Sequence, residues 1–131
     1  MSKEYVLSDT DFLVSQTDEK GRILFANEDF CKIAGYTLDE LIGQPHNIIR
    51  HPDMPKAAFK DLWDTVQKGK IWTGYVKNRT KDGGYYWVYA TVFPNIACEE
   101  GKCGFMSCRR KPSREEIAEA ESLYQTMRQE A

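Results

Sequence analysis

No apolar run in this chain approaches the ~20 residues that a membrane-spanning helix needs, so no span is expected. The start, Met1-Ser2-Lys3-Glu4-Tyr5, lacks a basic stretch leading into an apolar one. No secretory leader is read there, and the cytoplasm is the expected compartment. Charge of one sign is also missing. Eighteen basic and 20 acidic residues leave a net charge of -2, which gives no electrostatic reason to bind nucleic acid or to insert into an anionic membrane. Cysteines number 4, and none forms a Cys-x-x-Cys pair. Cys98, Cys103 and Cys108 are evenly spaced, but no histidine lies near them in sequence. Zinc hairpins use tighter ligand pairs, and cytosolic thiols stay reduced. We read these three and Cys31 as reduced thiols, with no metal site. Dinucleotide-type glycine motifs and a separate substrate domain are absent too, so an enzyme is not expected.

What is present fits one domain. The chain has 131 residues, 41% hydrophobic and 29% charged, enough for a single core. Phe12 to Thr17 and Arg22 to Ala26 read as a short hairpin around Asp18-Glu19-Lys20-Gly21. Asn27 reads as the N-cap of a helix carrying Phe30, Ile33 and Ala34, with Gly35 as its stop. Thr37-Leu38-Asp39-Glu40 is a capping box. His46 to Pro52 is polar and closed by Pro52 and Pro55, so at most one helical turn fits.

From Asp53 or Met54 a longer helix is expected. Phe59, Leu62, Trp63 and Val66 fall on one face, and Gly69 ends it. Three strands follow: Ile71 to Thr80, Tyr85 to Phe93 and Lys102 to Arg110, the first two joined by an Asp82-Gly83 turn and the last two by a loop from Pro94 to Gly101. A terminal helix opens on the box Ser113 to Glu116, with Ile117, Ala120, Tyr124 and Met127 as its apolar stripe. Strands segregated from helices predict an α+β fold with an antiparallel sheet, helices over one face and a ligand pocket between them. Residues 1–10 read as an N-terminal cap, 11–111 as the sensor domain and 112–131 as a helix leading to an output or partner.

The run Asn27-x-x-Phe30-x-x-x-x-Gly35-Tyr36, followed by Glu40-Leu41-Ile42-Gly43, resembles the PAS fold, with five strands and short helices over one face. Gly43-Gln44-Pro45-His46-Asn47-Ile48-Ile49-Arg50-His51-Pro52-Asp53-Met54-Pro55-Lys56-Ala57-Ala58-Phe59 is similar to the PAS domain of the aerotaxis-receptor family. Trp72 to Arg79 and Tyr86-Trp87-Val88 continue the likeness, which spans about Thr10 to Arg110. The resemblance implies non-covalent FAD, read out as a proxy for oxygen or energy status. It implies as partner a chemoreceptor signalling region, HAMP or methyl-accepting, in cis or in trans, with a PAS homodimer as a further association. Such a domain would sit in the cytoplasm, held at the inner face of the membrane through its receptor. The membrane anchor, HAMP segment and signalling region of that family are not in this sequence.

Each candidate residue also has an ordinary reading. Arg50 and His51 are either solvated loop residues or contacts to a pyrophosphate, for which the guanidinium fork is suited; the resemblance favours cofactor contact. Asp53 is a helix cap or a ligand contact, and Asn27 a cap that faces the pocket in the PAS fold. Phe59 and Trp63 are core or pocket wall, and Trp72, beside Gly74, is expected next to the ligand. Asn78 lies inside a strand, where asparagine is disfavoured. Its amide can donate or accept, as a sensor of flavin N5 must. Light-sensing relatives carry an adduct-forming cysteine where this chain has His46 to His51, so no photoadduct is expected. Two other readings stay open: a haem PAS domain with His46 or His51 as axial ligand, and a ligand-free interaction module.

Overall fold

Stretches of period two pair into one sheet, and stretches of helical period cover it. The computed structural model describes residues 3–94 and 104–130. Along the chain run β1 (Leu13–Thr17), β2 (Ile23–Ala26), α1 (Glu28–Ala34), α2 (Leu38–Leu41), a 3-10 turn (His46–Ile49), α3 (Lys56–Gln67), β3 (Trp72–Arg79), β4 (Tyr85–Pro94), β5 (Phe105–Arg110) and α4 (Arg114–Glu130). The strands form a 5-stranded antiparallel sheet in the order β2-β1-β5-β4-β3. This is the expected α+β architecture. The predicted loop over 95–101 and the start of the third strand, with Cys98 and Cys103, fall outside the described residues.

Local chemistry sets the boundaries. Asn27 accepts from the Phe30 amide at 3.1 Å to open α1, and Gly35 ends it at φ 82°, a conformation glycine adopts without strain. Thr37 and Glu40 close the expected capping box on α2. The longer helix starts later than expected. Pro55 is its N-cap residue, extended at φ -71° and ψ 144°, without a side-chain cap. A proline pushes its predecessor, here Met54, out of helical geometry, so Asp53 cannot cap α3. At the other end, Ser113 and Glu116 cap α4 reciprocally, at 3.0 and 3.1 Å.

The two faces of the sheet carry different loads. One face holds Leu13, Ser15, Val76, Asn78, Ala90, Ser107 and Arg109 under the helical layer, all of them buried. The opposite face takes α4. Trp87 and Tyr124 stack there with centroids 6.3 Å apart and planes at 16°, and the Tyr124 hydroxyl donates to the Tyr75 carbonyl at 2.5 Å. Ile117, Ala120 and Tyr124 are buried, so the terminal helix docks on its own domain.

Trp72 lies along its own strand, on the face covered by α3. Its indole N–H donates to Asp61 of α3 at 2.9 Å, and its ring covers Gly74. A Cβ at Gly74 would stand 2.5 Å from the ring, well inside van der Waals contact. Gly74→Ala is therefore expected to displace Trp72 and to destabilise the domain by about 1–3 kcal/mol in urea unfolding. A wild-type midpoint would mean that the ring moves aside at no cost.

Candidate functional site

A polar segment without regular structure crosses the sheet at a fixed height. Gln44 and Pro45 are tied to the first hairpin: Ile23 N–H donates to the Gln44 carbonyl at 2.9 Å, and His46 N–H to the Gly21 carbonyl at 3.0 Å. Further along, Arg50 makes a β-bridge with Asn78, and His51 N–H donates to the Lys77 carbonyl at 3.3 Å. Between these two moorings the chain turns once, as the 3-10 turn. Behind it α3 leans on β3 and β4. A cavity of about 250 Å³ is left between this strap, α3 and the sheet.

Its floor is the sheet, where Val76 of β3, Ala90 and Val92 of β4 and Ser107 of β5 line it; Val92 pairs with Ser107, and Ala90 with Arg109. Its roof is Phe59, Leu62, Trp63 and Val66 of α3, the apolar stripe seen in the sequence. Trp63 meets Phe105 edge-on at 5.3 Å and covers Gly21, where a Cβ would lie 3.2 Å from its ring. Lys20, Asn47 and Arg50 also line the cavity. The Arg50 guanidinium sits 3.7 Å above the Phe59 ring, a cation–π contact that holds it flat.

Several polar atoms of this cavity are unsatisfied among the described residues. Arg50 Nε, Asn78 Nδ2, Ser107 Oγ, and Arg109 Nε and Nη1 are buried without a hydrogen-bond partner among the described residues. Four of these five are N–H donors, and the fifth is a hydroxyl. Buried donors normally find partners, so five around one cavity describe a surface shaped for a ligand rich in acceptors. Apolar walls above and below such donors suit a flat heteroaromatic ring.

Of the residues singled out in the sequence, Arg50, Phe59, Trp63 and Asn78 line this cavity. The others do not. Asn27 spends its whole amide on backbone: Oδ1 accepts from Val14 and Phe30 N–H, both at 3.1 Å, and Nδ2 donates to the Phe12 carbonyl at 2.8 Å. Trp72 is folded over Gly74 and held by Asp61. His51 Nδ1 accepts from the Asp53 N–H at 3.0 Å, and its ring meets Tyr85 on the far side of the strap. Asp53 pairs with Lys77 at 2.8 Å, and that bond together with the lysine charge holds its carboxyl below the usual range. The Asp53 carbonyl accepts from Arg128 of α4, so this residue joins the strap to the terminal helix.

Among the polar cavity residues that went unread as ligand contacts are Ser107, Arg109 and, except as a possible iron ligand, His46. His46 Nε2 lies 3.2 Å from both Ser15 Oγ and Arg109 Nη2. Burial, and then the charge of Arg109, push its imidazole down to about 3. Of the two residues read as possible iron ligands, His46 thus turns its Nε2 toward Arg109 and Ser15, and His51 does not line this cavity. No cysteine among the described residues lines the cavity. Strand parity was the available signal for the missed pair: Phe105, Ser107 and Arg109 alternate onto one face.

A family model described as the PAS fold matches residues 23–109. Over 122 residues the chain is 52% identical to the aerotaxis receptor of Escherichia coli, covering 92% of this chain and 24% of that protein. The chain therefore spans about a quarter of that relative's length. Among solved structures, a PAS domain from Colwellia psychrerythraea superposes with a TM-score of 0.70 at 23% identity, over 80% of this chain and 89% of that one. A light-oxygen-voltage domain studied with a flavin analogue superposes at 0.69 and 20% identity, over 92% and 87%.

The state of His46 predicts a pH dependence for the ligand-free domain. The folded imidazole stays neutral while the unfolded one takes up a proton below about 6.5. Its contribution is complete above that value and is lost as pH falls toward about 3. Denaturant titrations of wild type and His46→Gln between these limits should diverge, the wild type losing up to ~1 kcal/mol more per pH unit. Parallel curves would mean that the ring protonates freely in the folded state.

Proposed function

The chain belongs to the PAS family, and on that premise we propose that it is a redox-sensing module. It holds FAD non-covalently in the cavity beneath α3 and passes the redox state of the flavin to a chemoreceptor signalling region, in cis or in trans. It works as a binding and signalling domain and not as an enzyme.

The observation that carries this reading is the set of partnerless donors on Arg50, Asn78, Ser107 and Arg109 around one apolar-walled cavity. The pyrimidine edge of an isoalloxazine presents acceptors at N1, O2, O4 and N5 around a single N3–H donor, which suits such a set of donors. A cavity of about 250 Å³ suits the fused rings, with the ribityl and pyrophosphate tail extending from them. Lys20, Asn47 and Arg50 also line it, and a guanidinium fork and an ammonium suit two phosphates. The similarity to an aerotaxis receptor, and the likeness in fold to a domain studied with a flavin analogue, agree with this ligand.

Bound flavin supplies an N5 atom that accepts a hydrogen bond when oxidised and donates one when reduced. Asn78, 2% exposed and with its amide nitrogen partnerless, can serve either state by turning its amide. It is poorly placed to turn without consequence. Its backbone pairs with Tyr86 on β4 and bridges Arg50 on the strap. From the strap, Asp53 leads to Lys77 and to Arg128 of α4. Reduction therefore shifts the balance between two arrangements of strand, strap and terminal helix.

An absorbance spectrum before and after dithionite, with the released chromophore run against FAD and FMN standards, tests the ligand. Flavin bands that bleach on reduction and return in air, with FAD released, are expected. A Soret band, or a protein that stays colourless after refolding with excess FAD, would overturn the reading. Arg50→Ala should weaken FAD binding by roughly tenfold to a hundredfold, the worth of a charge-assisted hydrogen bond, as read by fluorescence titration. Asn78→Ala should keep the flavin and lose the reduction-dependent change in amide exchange of α4. Retention of that change would assign the switch to another residue.

A further inference from the structure

Arg109 differs from every other cation of the described chain. It stands on β5 between Leu13 of β1 and Ala90 of β4, is 6% exposed and lines the cavity. No carboxylate among the described residues lies within salt-bridge distance of it. Its one described polar contact is Nη2 with His46 Nε2 at 3.2 Å, and an imidazole brings no negative charge to offset it. The guanidinium carbon lies 5.4 Å from the centre of the Phe30 ring, which gives partial cation–π compensation at most. Burial brings Arg109 down only to about 10, so it remains protonated at neutral pH. Leaving an ion buried and uncompensated is among the most costly arrangements in a protein interior. The fold alone has no use for it.

Its surroundings say what would offset it. Ser107 Oγ, two residues back on the same face of β5, and Asn78 Nδ2 line the same cavity and also lack partners among the described residues. Donors and a positive charge together call for several acceptors and a negative charge. Arg50, by contrast, is already stacked on Phe59 by the strap, where the cofactor tail is placed. The two arginines therefore divide the ligand between them.

We infer that the sheet end of the cavity is an anion-binding site centred on Arg109, built to hold the negatively charged reduced form of the ring in preference to its neutral oxidised form. This rests on the flavin reading above. Two electrons and one proton, delivered by an external electron donor, place a hydrogen on N5 and leave a single negative charge shared by N1 and the C2 oxygen. The planar guanidinium fork matches such a delocalised charge across two adjacent acceptors. Arg109 thereby biases the redox couple toward reduction, and His46 is the positioning residue that holds the fork in place.

The test compares the midpoint potentials of FAD-loaded wild type, Arg109→Lys and Arg109→Met by dye equilibration, with melting of the same three proteins free of flavin. Arg109→Met is expected to bind oxidised FAD nearly as the wild type does. Its preference for the reduced form should fall at least tenfold, which lowers the two-electron potential by about 30 mV, while Arg109→Lys keeps most of the wild-type value. Without flavin, Arg109→Met should melt at or above the wild-type temperature, because a well-packed apolar side chain can replace a buried ion without loss. An unchanged potential in Arg109→Met overturns the anion site and leaves the flavin reading intact. A flavin-free Arg109→Met that melts lower, or fails to fold, makes the guanidinium a structural group and overturns the inference as well. A wild-type domain that takes up no flavin removes the flavin reading and this inference with it.

Discussion

The mooring of the strap, residues 44–54, holds the rest of the architecture in place. It is tied at one end to the first hairpin through Gln44 and His46, and at the other to β3 through Arg50 and His51. Met54, at its far end, accepts the Lys77 N–H on its sulfur at 3.3 Å. Beside these ties α3 leans on β3 and β4, and its apolar stripe roofs the cavity left between strap and sheet. Small residues complete the effect from below. With Ala90 and Ser107 on the floor, the sheet does not fill the gap beside the strap.

Such a cavity lowers stability and supplies a site. Every apolar side chain that faces it forgoes contacts that a filled core would provide, and every orphaned donor on its wall adds to the cost. The chain compensates on the opposite face, where α4 closes over Trp87 with a stacked Tyr124 and a bond to the Tyr75 carbonyl. Tyr75 in turn donates to Glu116 of the α4 capping box, so the cap of the helix is itself joined to the sheet. The two faces meet at Asp53, whose carboxylate holds Lys77 and whose carbonyl receives Arg128. The least satisfied groups thus line the cavity, and stacked aromatics pack the opposite face.

Much of this was legible in the sequence, for local reasons. Asn27, Gly35, Thr37 and Ser113 announce helix ends through hydrogen bonds made within a few residues. Asn78 stood out because an asparagine inside a strand needs a reason, and Arg50 because it lies where the chain has no regular structure. Trp72, Asp53, His51 and Asn27 were expected at the ligand and do not line this cavity, each through a contact made at a distance or a constraint of the backbone. Asp61 draws the Trp72 indole back over Gly74, Pro55 removes Asp53 from the helix start, Lys77 and Tyr85 occupy the surroundings of His51, and Phe12 and Val14 use up the amide of Asn27.

The sequence by itself determined the order of elements, the caps, the antiparallel sheet and the apolar stripe that roofs the site, because periodicity and capping depend on neighbours along the chain. Only the tertiary structure decided which polar groups end without partners. Whether Arg109 meets a carboxylate, a neutral imidazole or nothing depends on the strand order that sets β5 between β1 and β4, and on the strap that brings His46 across more than sixty residues of chain to its side. Charge compensation is a property of the folded interior. No spacing along the chain encodes it.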